Sequence, residues 1–233
     1  MLLGGRQPDI KKVAVLTRNM QFNKLLRRIL VYWKFVTVED PSEANIIIAE
    51  RGIQLPAHEA QLIWLTSMPL REGRFLMVPL SLTELYHLLE AQMFPVPRRH
   101  IRVAMNAAVD LKLENEWFEG RLVSLSCRGG RIICPYEMPR GKMLHVEVTL
   151  GGRKLAIQSE VLYCIPAGDA SSRLQPHVGV LFKSLEGCDL DMLRQFIEKT
   201  SVESACSREA ILRTDPCMTW LDLSTNPLHA AAP

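Results

Sequence analysis

The sequence predicts two domains of different class: an N-terminal α/β domain built on a doubly wound parallel sheet, and a C-terminal antiparallel β-barrel closed by a helix. Three observations carry this. Before residue 94, short runs such as Ile46-Ile47-Ile48-Ala49 and Phe75-Leu76-Met77-Val78 are apolar at successive positions, as strands buried on both faces of a parallel sheet require. From Val103 onward apolar and polar residues alternate in several short runs at near-regular spacing, the signature of a small antiparallel barrel. Between the two periods stand Pro95 and Pro97, which lack amide donors and favour an extended path, so Phe94–Pro97 reads as a linker. The expected organisation is 1–93, 94–200 and a C-terminal tail, 201–233. A chain of 233 residues with 48% apolar content can fill two cores.

The first domain opens with the strand KVAVLT, followed by FNKLLRRILVYW, where Leu25, Leu26, Ile29 and Leu30 recur at helical spacing. Strand-like KFVTVED, NIIIAE, LIWLTS and RFLMVP follow, and LTELYHLLEAQM closes the domain as a helix with its stripe at Leu82, Leu85, Leu88 and Leu89. The space between the second and third strands, Asp40–Ala44, is too short for a full helix. In the second domain the strands are VAMNAAVDLKL, GRLVSLS, GGRIICP, MLHVEVTL, KLAIQSEVLYCI and HVGVLFKSL, with Gly151-Gly152 as a tight hairpin. A helix over Asp189–Lys199 presents Leu190, Leu193, Phe196 and Ile197 on one stripe. In the tail a short helix is expected around Ser207–Arg213.

A formal charge of +3 excludes wholesale coating of a polyanion and directs attention to local patches. The six cysteines fall singly, with no CxxC pair and no Cys/His spacing of a zinc site, so neither a metal cluster nor a disulfide framework is expected. The longest apolar run, Ile29–Val38, is interrupted by Lys34 and is too short to span a bilayer. The expectation is a cytoplasmic protein without membrane insertion, metal or cofactor. No Walker loop or Ser/His/Asp order is present, so no catalytic residues are assigned and an enzyme is not expected.

Charge is concentrated at one place. Arg98, Arg99 and Arg102 lie between the linker and the first barrel strand. Downstream, Ser124-Leu125-Ser126-Cys127-Arg128-Gly129 ends one strand and opens the next, offering two hydroxyls, a further cation, and a glycine that lets the backbone approach something closely. Together these residues resemble the PilZ domain, a family that binds the bacterial second messenger cyclic di-GMP. Arg98 and Arg102 match that family's RxxxR motif, and Ser124, Ser126 and Gly129 match its [D/N]xSxxG motif with one departure. The resemblance covers roughly 98–199. It implies a non-enzymatic receptor whose ligand-binding residues are Arg98, Arg99, Arg102, Ser124, Ser126 and Gly129. The chemistry fits: a guanidinium fork pairs with phosphate, docks on guanine O6 and N7, or stacks on a purine. The departure is Ser124, where the family has an acid or amide; a hydroxyl on a shorter arm should cost about 1 kcal/mol or more of guanine binding. Ser126 either contacts ligand or ties its own turn.

The first domain resembles the receiver domain of response regulators over 11–93, in a flavodoxin-like pattern ending in the helix LTELYHLLE. The phosphotransfer residues are replaced. The places of the metal-binding acids, the phosphoacceptor and the lysine read Thr17-Arg18-Asn19, Glu50 and Val78, and only Thr66 retains the family's residue type. The reading is a pseudo-receiver used for packing or partner contact. The functional expectation is a cyclic di-GMP receptor that rearranges its domains and controls an unidentified protein effector in bacterial motility, pilus or biofilm regulation. The alternative is a ligand-independent interaction module. Specific DNA binding is not expected, because no recognition helix or long basic stripe appears.

Overall fold

The computed structural model describes residues 11–168, 174–183 and 185–223. The chain divides into two compact units, one containing the residues up to Arg99 together with those from Ser201, the other His100–Thr200. The first unit is thus discontinuous in sequence.

In the first unit β1 (Lys12–Leu16), β2 (Val36–Val38), β3 (Ile46–Glu50), β4 (Gln61–Thr66) and β5 (Arg74–Met77) form a parallel sheet in the order β2-β1-β3-β4-β5. Helices α1 (Met20–Tyr32) and α2 (Leu82–Met93) begin at Asn19 and Ser81, whose side chains accept from the N–H groups of Phe22 and Glu84. Helix α1 buries Phe22, Leu25, Leu26, Ile29 and Leu30. Tyr86 of α2 meets Trp33 edge-on at 5.4 Å and Phe35 at 6.0 Å, so both helices share one face of the sheet.

The other face departs from a doubly wound arrangement. There Ala14, Ile47 and Ala49 are buried beneath loop residues, Leu55 and Ala60 among them, and Leu16, Val38, Leu62 and Trp64 form a half-buried margin. The connections 39–45, 51–60 and 67–73 are shorter than the roughly dozen residues of a helical crossover, and Gly52, Pro56, Pro69 and Gly73 interrupt them. Only the 3-10 turn Pro41–Glu43 forms, with the Asp40 carboxylate accepting from the Ser42 N–H at 2.8 Å. That bond holds the Asp40 carboxyl below its ordinary range. Glu39 pairs with Arg27, so the Glu39-Asp40 acids serve local structure.

The second unit is a closed barrel of β6 (Val103–Leu113), β7 (Glu116–Ser126), β8 (Gly129–Ile133), β9 (Met143–Leu150), β10 (Arg153–Ile165) and β11 (His177–Phe182), in the order β10-β11-β8-β7-β6-β9. Alternation places Val103, Val109, Leu111, Leu122, Leu144, Val146, Ile157 and Val180 inside. Gly151 and Gly152 join β9 to β10 with φ of 57° and 83°, the left-handed pair that a two-residue hairpin needs. Helix α3 (Gly187–Glu209) buries Leu193 and Ile197 in this unit, and its Asp189 pairs with Arg153 at 2.7 Å.

Expected to stop near Lys199, α3 continues without a break, and its residues from Ser201 belong to the first unit. There Ser201, Val202, Ala205 and Cys206 are buried, the Trp33 indole N–H donates to Ser201 Oγ at 3.0 Å, and Arg28 pairs with Glu209. The short helix expected around Ser207–Arg213 does not form. Residues 207–209 are the end of α3, and the chain turns at Ala210, whose φ is 52°. Asp215 then caps the 3-10 turn Pro216–Trp220; Trp220 lies against Phe22 at 4.9 Å, and Leu221 pairs with Leu80. Much of the segment expected as a tail is therefore part of the α/β unit; residues 224–233 lie outside the described residues.

Among the described residues no helix is long and apolar enough to cross a membrane. Burial pushes the Cys127 thiol up to about 11 and that of Cys217 up to about 12, with the Asp215 carboxylate adding to the second. Cys188 is exposed. Native alkylation at neutral pH should therefore label Cys188 first and leave Cys127 and Cys217 unmodified until the protein unfolds, as peptide mass mapping would show. Trp220→Ala, by removing the ring from Phe22, should lower the stability of the α/β unit by about 2 kcal/mol in urea denaturation.

Candidate ligand-binding site

The arginine segment begins where α2 ends. Phe94 closes the helix, and Pro95 and Pro97 prevent its continuation. The segment is held to α2 by two bonds. The Arg98 N–H donates to Glu90 Oε2 at 2.8 Å, and His87 Nε2, as donor, meets the Arg99 carbonyl at 2.7 Å. Both arginine side chains are exposed. Ile101 and Val103 are buried, so Arg102 between them faces outward by alternation. Arg98 and Arg99 fall in the first unit and Arg102 in the second.

On the barrel, β7 carries one residue more than its neighbour β8 between Leu122 and Ser124, a bulge that turns Ser124 to the outer surface. Ser124 pairs with Ala104 on β6 and with Arg131 on β8. The row continues around the barrel, Arg131 opposite Gly179 and Gly179 opposite Tyr163. The Tyr163 ring lies directly over Gly179, where an added Cβ would stand 2.2 Å from it. Alternation thus brings Ala104, Ser124, Arg131 and Tyr163 to one outer strip, with Arg102 one strand position beyond Ala104. Among the described residues Arg98, Arg99, Arg102 and Arg131 form no ion pair, although other arginines of the chain do. Unpaired, exposed guanidinium groups are what an anionic ligand needs.

The turn between β7 and β8 has reasons of its own. Ser126 is nearly buried, and its hydroxyl donates to the Gly129 carbonyl at 3.0 Å. Gly129 lies so close to β11 that an added Cβ would stand 2.1 Å from the Val180 carbonyl oxygen. The glycine is therefore fixed by barrel closure. Cys127 points inward against α3, with Arg194 nearby. Of the six residues singled out in the sequence, the structure gathers Arg102, Ser124, Ser126 and Gly129 at one end of β6, β7 and β8. Arg131 and Tyr163 were not foreseen. Arg131 follows Gly129 at strand spacing, a usable signal; Tyr163 joins the strip only through its pairing with Gly179.

Residues 97–199 match the PilZ domain family. This half of the chain is a PilZ domain. Among solved structures, the PilZ domain is similar to that of Escherichia coli YcgR with c-di-GMP, at 17% identity over 50% of this chain and 100% of that one, TM-score 0.41. The YcgR complex with c-di-GMP aligns at 18% identity over 49% of this chain and 50% of that one, TM-score 0.43. The Bacillus subtilis inhibitor of motility MotI aligns at 15% identity over 46% and 52%, TM-score 0.41. The chain thus spans about half the length of MotI and of the longer YcgR chain. No curated protein matches it. Among the described residues, no group of three or more His, Cys, Asp or Glu side chains of the PilZ domain or of the α/β unit could hold a metal ion.

Two substitutions separate the turn's structural role from any ligand. Gly129→Ala should destabilise the barrel by about 3 kcal/mol, because the obstacle is backbone. Ser126→Ala should cost about 1 kcal/mol, the worth of its turn bond. Thermal denaturation without ligand reads both.

Proposed function

We propose that this protein is a non-enzymatic receptor for cyclic di-GMP. The observation that carries the reading is the outward strip of the PilZ barrel, where Arg102 and Ser124 adjoin the Ser126–Gly129 turn and, among the described residues, Arg102 and Arg131 form no ion pair. Arg98, Arg99 and Arg102 supply the phosphate and guanine contacts; Ser124 is the weak point, a hydroxyl where two donors of a guanine edge would prefer a carboxylate. Engaging Arg98 and Arg102 together fixes the segment that joins the two units, and with it the surface offered to a protein effector. We assign the output to bacterial motility, pilus or biofilm control, and the protein to the cytoplasm.

We read the first unit as a pseudo-receiver. Its strand order is that of flavodoxin-like folds. Glu50, in the phosphoacceptor's place, is held by the Arg18 N–H at 2.8 Å and by the Arg18 guanidinium at 3.5 Å, and that guanidinium also donates to the Gly52 carbonyl. A cation of the chain itself thus balances the acid. Thr66 is engaged with Met68. This supports a module for packing or partner contact rather than phosphotransfer.

One observation favours a second reading, a ligand-independent interaction module: Ser126 and Gly129 are both accounted for by turn and barrel geometry. Calorimetric titration with cyclic di-GMP decides between the two. The receptor reading expects saturable binding, lost in Arg98→Ala/Arg102→Ala with the barrel still folded, and tightened by Ser124→Asp by about tenfold through the restored acceptor. Absence of binding at high micromolar ligand would favour the module.

A further inference from the structure

Helix α2 buries Leu82, Leu85, Tyr86, Leu89 and Met93, and Glu90 falls on the same stripe. It is only 3% exposed. Among the described residues it joins no ion pair, and the bond it makes is to the backbone N–H of Arg98, at 2.8 Å. Burying a carboxylate is unfavourable unless charged or multiple donors converge on it, so packing alone would place an apolar residue here. Holding the arginine segment requires an acceptor. Three residues earlier, on the adjoining and exposed side of the helix, His87 grips the far side of the arginine pair through the Arg99 carbonyl at 2.7 Å. Two neighbouring side chains of α2 therefore fix the peptide groups on either side of the Arg98–Arg99 pair and leave both arginines exposed.

We propose that Glu90 and His87 are positioning residues for ligand binding. They fasten the backbone of Arg98 and Arg99 to α2, so that the guanidinium groups are presented before cyclic di-GMP arrives, and a ligand that grips those arginines acts on α2. The role rests on the receptor reading above. Its physical basis is preorganisation: ordering a free proline-bearing segment at the moment of binding would subtract from affinity, and the clamp has ordered it beforehand. The same contacts give the α/β unit a direct hold on the signal, since α2 belongs to that unit.

The test uses the full chain and three variants, Glu90→Gln, Glu90→Met and His87→Ala. Each is titrated with cyclic di-GMP, and amide hydrogen exchange is followed at Arg98 and Arg99 without ligand. Glu90→Gln retains a carbonyl acceptor and should bind within about twofold of wild type. Glu90→Met fits the apolar stripe, so its melting temperature should hold or rise. Its affinity should nevertheless fall about tenfold and its Arg98 amide should exchange faster. A merely structural Glu90 would show the reverse, a lowered melting temperature with unchanged affinity, and that result overturns the proposal. Should Glu90→Met fail to fold, His87→Ala decides, since it leaves the core intact: affinity about threefold weaker supports the clamp, and wild-type affinity overturns it. A wild-type protein that binds no cyclic di-GMP overturns the receptor reading and this role together, whereas wild-type binding retained by a folded Glu90→Met overturns the clamp alone.

Discussion

The outer face of the barrel depends on one close approach. At Gly129, strand β11 passes so near β8 that the Val180 carbonyl oxygen occupies the space a side chain would need. Because β8 and β11 meet there without a side chain between them, the six strands close, and the register that follows is determined. That register sets Arg131 opposite Gly179, and Gly179 opposite Tyr163, so the tyrosine ring can lie flat across a second glycine. On the other side the bulge before Ser124 carries the strip to Ala104 and toward Arg102. A glycine that looks like a ligand contact in a motif is thus a packing requirement first, and the face it creates is what a ligand would meet.

A second constraint is electrostatic. Several arginines elsewhere in the chain are paired, Arg18 with Glu50, Arg28 with Glu209 and Arg153 with Asp189. Those of the 98–102 segment are not paired among the described residues, while a nearby carboxylate, Glu90, accepts from a backbone N–H. The segment's peptide groups are anchored and its charges are left to solvent. The opposite arrangement stands at the carboxyl ends of β1 and β3, the end of an open α/β sheet where ligands generally bind. There Arg18 is folded over Glu50 and Gly52.

Most of the fold was legible because periodicity reports burial. The run Ile46–Ala49 could only be a strand covered on both sides, and the alternation of 143–150 and 153–165 fixed a hairpin through Gly151 and Gly152. The expectations that failed did so for physical reasons. The parallel sheet is helix-covered on one face because its short, proline- and glycine-bearing connections cannot hold crossovers, a matter of chain length more than pattern. Helix α3 outran its first stripe because its continuation is apolar toward a different unit, so Val202, Ala205 and Cys206 fall out of phase with Leu193 and Ile197.

What the amino-acid order alone determined is local: strands and helices from their periods, the linker from its prolines, the PilZ motif from arginines and a serine-glycine turn at family spacing. The tertiary structure decided which residues meet across distance. Trp220 against Phe22, Tyr163 over Gly179 and Glu90 beneath Arg98 join residues through strand closure and helix packing. It also decided which motif residues carry structural work, since Ser126 and Gly129 are explained by a hydrogen bond and a backbone approach. The reason is that a sequence period records only whether a side chain is covered, whereas register and chain return determine what covers it.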